Sequence, residues 1–224
     1  MAKISLEFCD RGDSRYQSIR DRHYVANKGC HGQQIHFLIW LDGTIVGIIS
    51  GASSVYGVKS RDDFFNIPSD KDTKQDYYLP AIVNNVVFRL EYHEPNLATR
   101  VLKLWRETTA ILWERLYSVP VIGFETFVVE EDWRKGCLYR ADNWILVGET
   151  RGNTKVHTAG MTASHTRADT TPKMVYCRWR KRKVTPVVKY VSSWRASTDE
   201  EKARAKHIAA TRKDLIGHQF AWKE

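Results

Sequence analysis

The sequence predicts a mixed α/β fold, with helices flanking one mostly antiparallel sheet. Three observations carry that expectation. Apolar segments of strand length recur at residues 35–41, 44–50, 82–91, 121–129, 144–148 and 174–179. The first two are separated only by Asp42-Gly43, a strong tight-hairpin signal. One long stretch, residues 97–117, instead repeats Leu97, Val101, Leu104, Trp105, Ile111, Leu112 and Leu116 at helical spacing.

Taken in order, residues 5–8 form a short first strand. Residues 14–24 read as a helix, with Ser14 as N-cap and Tyr16, Ile19 and Tyr24 near one face. A glycine-bearing loop, 27–34, leads into the hairpin, and small residues at 51–54 lead out of it. Residues 56–80 are polar, with Pro68 and the run SDKDTKQD, and are expected to be a loop insertion with a short helix near 61–65. Loops this long in a compact domain are usually functional or mobile. A strand at 82–91 meets the turn His93-Glu94-Pro95-Asn96, after which the long helix begins. Pro120 ends the next connection, and a strand follows at 121–129. Residues 135–143 are a turn or short helix between two strands. Residues 151–171, rich in Thr, Gly and Ser, read as an exposed loop, and 198–213 as an exposed charged helix.

A chain of 224 residues that is 42% hydrophobic can bury the core of one domain with an appendage. We divide it into a domain at 1–180 and a basic extension at 181–224. No run approaches the roughly 18 apolar residues of a membrane span. The start, MAKISLEFCDRGD, has no apolar signal core, so the cytoplasm is the expected location. Cys9, Cys30, Cys137 and Cys177 are scattered singly, which argues against a zinc ribbon or thioredoxin-type site. His31, His36, His93, His157 and His165 show no ligand spacing, and nothing requires a metal.

Charge is distributed unevenly. Residues 151–224 hold 17 Lys and Arg against 6 Asp and Glu, a balance of +11, whereas residues 1–150 hold 18 against 20, a balance of −2. Such asymmetry points to a polyanion, most often nucleic acid; the plainer alternative is a solvated tail. Arg178, Arg180, Lys181, Arg182 and Lys183, with Tyr176 and Trp179 interleaved, are the candidate DNA-gripping residues. The alternative is a basic strand edge that discourages aggregation.

Two segments carry candidate chemistry. In the turn opening the long helix, Asn96 is a plausible N-cap, and Leu97, Ala98, Thr99 and Arg100 form the first turn. Backbone N–H groups, a hydroxyl and a guanidinium there suit an anion, although an ordinary cap with a solvated arginine fits equally well. The second segment is Gly136-Cys137-Leu138-Tyr139-Arg140-Ala141-Asp142-Asn143-Trp144, which places Tyr139 at the mouth of a cleft between strands. Glu125 lies inside an apolar strand, where a carboxylate needs a partner; Arg89 and Arg140 are the candidates.

The element order resembles the GNAT acyltransferase fold. More specifically, residues 85–89, Asn96-Leu97-Ala98-Thr99-Arg100, Glu125-Thr126-Phe127-Val128, the Gly136–Trp144 block and Val147-Gly148-x-Thr150-x-Gly152 resemble the Mom-like DNA modification proteins of bacteriophages. They are equally similar to bacterial relatives, some linked to anti-phage defence islands. The likeness spans roughly residues 14–180. It implies an acyl-CoA, such as acetyl-CoA, bound at residues 96–100, and a carbamoylmethyl-type transfer to the exocyclic amine of adenine in DNA, protecting that DNA from restriction. Carried over by position, the catalytic candidates are His23 and Tyr24, Arg89, and Tyr139, whose phenol suits a general acid; outside that carry-over, Glu125 reads as a structural ion pair or an alternative base. The departure is at Val129, where relatives carry an Asp; here Glu130 and Glu131 follow. Tyr139 can instead pack between strand and helix, and His23 can cap its helix. The alternatives at the level of function are a GNAT acyltransferase acting on a protein or small-molecule amine, and a non-catalytic DNA-binding protein.

Overall fold

The computed structural model describes residues 2–23, 32–131, 135–150, 171–180, 184–192 and 195–222. Its strands are β1 (Ile4–Cys9), β2 (Gln34–Leu41), β3 (Thr44–Ser53), β4 (Ile82–Leu90), β5 (Gly123–Val129), β6 (Ile145–Thr150), β7 (Lys173–Trp179) and β8 (Gln219–Ala221). They form an eight-stranded sheet in the order β6-β7-β5-β4-β3-β2-β1-β8. Every pair is antiparallel except β4 with β5. The sheet is flanked by helices, which is the fold class expected from the sequence.

That parallel pair follows from connectivity. Antiparallel neighbours need only a turn, as between β2 and β3, where Asp42 (φ 47°) and Gly43 (φ 82°) both take left-handed conformations. Parallel neighbours need a crossover. Here it is the long helix α5 (Leu97–Tyr117), which buries Leu97, Val101, Leu104, Trp105, Leu112, Trp113 and Leu116. Ile111, expected on that stripe, is 65% exposed. Trp105 reaches the sheet because position 51 is glycine: a Cβ there would stand 2.7 Å from Val83 and 3.1 Å from the Trp105 ring.

Helix α1 (Ser14–Arg20) is shorter than expected. Its N-cap is Asp13, whose carboxylate accepts from the Arg15 N–H at 2.9 Å, not Ser14. Tyr16 and Ile19 pack with Cys9, Leu38, Ile48 and Val87 in a second, smaller core. The 56–80 insertion is more regular than its composition suggests. It contains α2 (Lys59–Phe64), α3 (Lys71–Thr73), a π-helical turn (Lys74–Tyr78) and α4 (Leu79–Ala81).

Two further helices complete the fold: the short α6 (Cys137–Ala141) and the C-terminal α7 (Asp199–Leu215). Thr198 and Glu201 form a reciprocal capping box at the start of α7. Tyr190 and Leu215 join the main core, and β8 pairs with β1. No helix among the described residues is long and apolar enough to cross a membrane.

Candidate active site

The sheet forks at its parallel pair. β4 and β5 are paired from Ile82↔Gly123 to Asn85↔Thr126 and then part. Beyond Asn85, β4 stays bonded to β3 as far as Leu90, while β5 stays bonded to β7 as far as Val129. Among the described residues, no strand pairs with the β5-facing edge of β4 after Asn85. An irregularity in the β3–β4 register falls at the same level, where Ser50 faces Val87 but Gly51 faces Asn85.

Tyr139 sits at that fork. Its hydroxyl donates to Asn85 Oδ1 at 2.8 Å. The half-buried ring stacks on Tyr176 (centroids 5.9 Å apart) and meets Trp144 edge-on at 5.2 Å. Gly136 opens α6 in a left-handed conformation (φ 65°), close against the Tyr176 ring. Asp142 holds the other end of α6. It accepts from Arg106 Nε and Nη2 of α5 (2.7 and 2.8 Å) and from Trp144 Nε1 (2.8 Å). Asn85 and Asp142, quoted in the sequence motifs without a role of their own, and Arg106 were not among the candidate site residues. The signal that would have found Asn85 is the pair of asparagines in an otherwise apolar strand, IVNNVVFRL.

Glu125 is fully buried, and its partner is neither Arg89 nor Arg140. Arg61 of α2, equally buried, donates from Nη1 to Glu125 Oε2 at 2.7 Å. Burial pushes the Glu125 carboxyl above the usual range, and the guanidinium opposes that rise. Arg61 also donates to the Val55 carbonyl (2.6 Å) and Asp62 Oδ1 (2.7 Å), and Lys74 pairs with Asp62. The arrangement pins the insertion onto β5.

His23 and Arg89 are brought into one neighbourhood. Arg89 Nη1 donates to the Arg22 carbonyl at 2.5 Å, and its Nε pairs with Glu91, which also bonds Arg22 at 3.2 Å. His23 is buried beside them in sequence. Tyr24 lies outside the described residues. At the start of α5, Asn96 is left-handed (φ 62°) and makes no side-chain cap. The Thr99 hydroxyl donates to the Asn96 carbonyl at 2.9 Å. Arg100 is engaged by the Ala2 carbonyl (2.8 Å) and Glu94 (3.6 Å), while Leu97 is buried and Ala98 half-buried.

Of the candidate DNA-gripping residues, Arg178 donates to the Asp142 carbonyl, and burial together with nearby Arg106 lowers its basicity. Trp179 packs on Phe64 and Phe65 (centroids 5.8 and 4.8 Å). Both therefore tie β7 to its neighbours. Arg180 is exposed. Lys181, Arg182 and Lys183 lie outside the described residues, as does nearly all of the 151–171 loop. No group of three or more His, Cys, Asp or Glu among the described residues is placed to hold a metal ion.

Fold and site together define a mixed α/β protein whose tyrosine is seated at a fork in its central sheet. Residues 8–204 match the family of the Druantia protein DruA, and the chain belongs to that family. No curated protein matches it. Distant likenesses are found among solved acetyltransferases. RimL, a ribosomal α-N-protein acetyltransferase, gives a TM-score of 0.43 at 10% identity, covering 81% of this chain and 96% of that one. An acetyltransferase of Salmonella typhimurium that modifies the N-terminal serine of a ribosomal protein gives 0.40 at 12% identity, covering 66% of this chain. The present chain spans 64% of that protein's length. The aminoglycoside acetyltransferase AAC(6')-Ib in complex with coenzyme A gives 0.42 at 12% identity, with 66% of each chain covered.

Proposed function

We propose that this protein is an acyl-CoA-dependent enzyme that modifies the exocyclic amine of a DNA base, adenine by the Mom-like resemblance, and so protects DNA from restriction in the bacterial cytoplasm. The observation that carries the proposal is the Tyr139 hydroxyl held where β4 and β5 part, beside a β4 edge that no strand pairs among the described residues.

The residues present fit an acyl-CoA. Among the described residues no strand pairs with the β5-facing edge of β4 over residues 86–90, about 16 Å at roughly 3.3 Å per residue, which suits an extended arm carrying amides. The N–H groups of Ala98 and Thr99 at the start of α5, with the Thr99 hydroxyl and Arg100, suit its phosphates, provided Arg100 exchanges Glu94 for them. When bound, the cofactor supplies an activated acyl group. Tyr139 holds a proton at the fork, and the Arg22–Glu91–Arg89 cluster fixes the end of α1 near the outer half of β4. Glu125, locked to Arg61, serves the scaffold in this reading.

DNA as partner is supported by the +11 balance of residues 151–224 and by membership of a defence-system family. An adenine amine is reached on unpaired DNA or by flipping the base. Residues 1–180 are the proposed catalytic unit and 181–224 the basic extension, whose Tyr190, Leu215 and β8 complete the core and sheet.

The test is mass spectrometry of nucleosides from cells expressing the wild type or Tyr139→Phe. A new adducted nucleoside in the wild type alone supports the proposal, and its mass identifies the group. Unmodified DNA in both, with coenzyme A still bound by the purified protein, would overturn DNA as substrate and favour an acyltransferase acting on a protein or small-molecule amine. Salt-sensitive DNA binding without coenzyme A binding would favour a non-catalytic DNA-binding protein.

A further inference from the structure

Asn85 is 4% exposed and sits at the last paired position of the fork. Its amide orientation is settled by its partners. Nδ2 lies 3.0 Å from the Ser50 carbonyl and 3.3 Å from the Val87 carbonyl, and carbonyls only accept. The amide nitrogen must therefore face them, leaving Oδ1 for Tyr139. An amide oxygen also only accepts, so Tyr139 is the donor. Its phenolic hydrogen has a defined direction even though the ring is only half-buried.

We infer that Asn85 is a positioning residue: it holds the Tyr139 hydroxyl at the fork, with its hydrogen on Oδ1. The inference rests on the proposed acyl-transfer reading for its functional meaning, but the hydrogen bond does not. A group entering the fork meets a phenol whose hydrogen is already given to Asn85. It receives the phenol's proton only by drawing that hydrogen from Asn85, leaving a buried amide oxygen unpaired. Several nearby groups are engaged elsewhere. Tyr176 and Trp144 offer ring faces and edges, and Arg106 and Arg178 are both engaged by Asp142. Arg140 donates to the Lys135 carbonyl. Thr126 bonds the backbone of Asn85, not its side chain (Oγ1 to the carbonyl, 3.0 Å).

The test is a double-mutant cycle on the full chain with Asn85→Ala, Tyr139→Phe and both together, read first by urea unfolding. Tyr139→Phe removes one oxygen and strands Asn85 Oδ1, so it is expected to raise the unfolding equilibrium constant about fivefold or more. Asn85→Ala is expected to cost at least fivefold less when position 139 is already Phe. Neutral or stabilising Tyr139→Phe overturns the inference even if Asn85→Ala does not fold, and so does an additive cycle. The second readout is the yield of modified nucleoside. Asn85→Ala should lower it at least tenfold with Tyr139 present and leave the residual yield of Tyr139→Phe within twofold. Wild-type yield in Asn85→Ala overturns the positioning role. Absence of modification by the wild type counts against the proposed function instead, and the unfolding cycle then decides whether Asn85 holds the hydroxyl.

Discussion

Replacing Arg61 by Met tests the contact that fastens the insertion to the sheet. Arg61 and Glu125 are both fully buried and 2.7 Å apart, so the substitution strands a carboxylate where water cannot reach it. Removing one partner of such a pair costs about 3–5 kcal/mol. Arg61 also gives up its bonds to the Val55 carbonyl and Asp62, but Asp62 keeps Lys74. The double variant Arg61→Met/Glu125→Leu removes both charges and refills the volume, and it is expected within about 2 kcal/mol of the wild type. The assay is urea unfolding followed by tryptophan fluorescence. Additive losses, or a cost below about 1 kcal/mol for Arg61→Met, would refute the account. The pH dependence has a defined sign. With Arg61 gone, the main opposition to the burial that already raises the Glu125 carboxyl is lost, and only the Ser54 hydrogen bond still works against it. The native state then binds a proton more readily than the unfolded chain, so the deficit of Arg61→Met shrinks as pH falls toward the ordinary carboxylate range and grows as pH rises.

Gly136→Ala combines a left-handed φ with a Cβ 2.4 Å from the Tyr176 hydroxyl; a loss of about 2–4 kcal/mol is expected, and a melt within 0.5 kcal/mol of wild type, on the order of an ordinary surface change, would contradict it. His36 is held neutral, pulled from 6.5 to about 3, first by burial and then by Arg212, Arg11 and Arg20. Below pH 6.5 the unfolded chain takes up a proton that the native state refuses, so stability should fall by up to about 1.4 kcal/mol per pH unit until about pH 3. His36→Asn should flatten that slope in denaturation curves collected across the range, and an unchanged slope would assign the acid sensitivity to other groups.

Local periodicity made some of this legible. The stripe of α5 appears in the structure with the same limits, 97–117, because a crossover helix must bury one face. The Asp42-Gly43 hairpin needed only two left-handed residues. The Gly136–Trp144 block was correctly placed as a short helix between strands. What escaped was pairing at a distance. Glu125 advertised its need for a cation, but Arg61 lies 64 residues earlier in a segment that reads as irregular. Arg106 looks like a solvated helix residue until Asp142, 36 residues on, reaches it. Arg178 and Trp179 look like a nucleic-acid grip, yet tertiary packing uses both to close β7 against α6 and α2. β8 is three residues long and polar at its start, too short for any periodic signal.

That last strand sets an order on synthesis. Ser5 and Ala221 are direct partners across β1 and β8, so two residues far apart in sequence lie side by side. While the protein is being made, the outer edge of β1 stays bare until residues 219–221 emerge, and that side of the sheet closes only then. A nascent or truncated molecule that lacks β8 would carry an open edge able to recruit another copy.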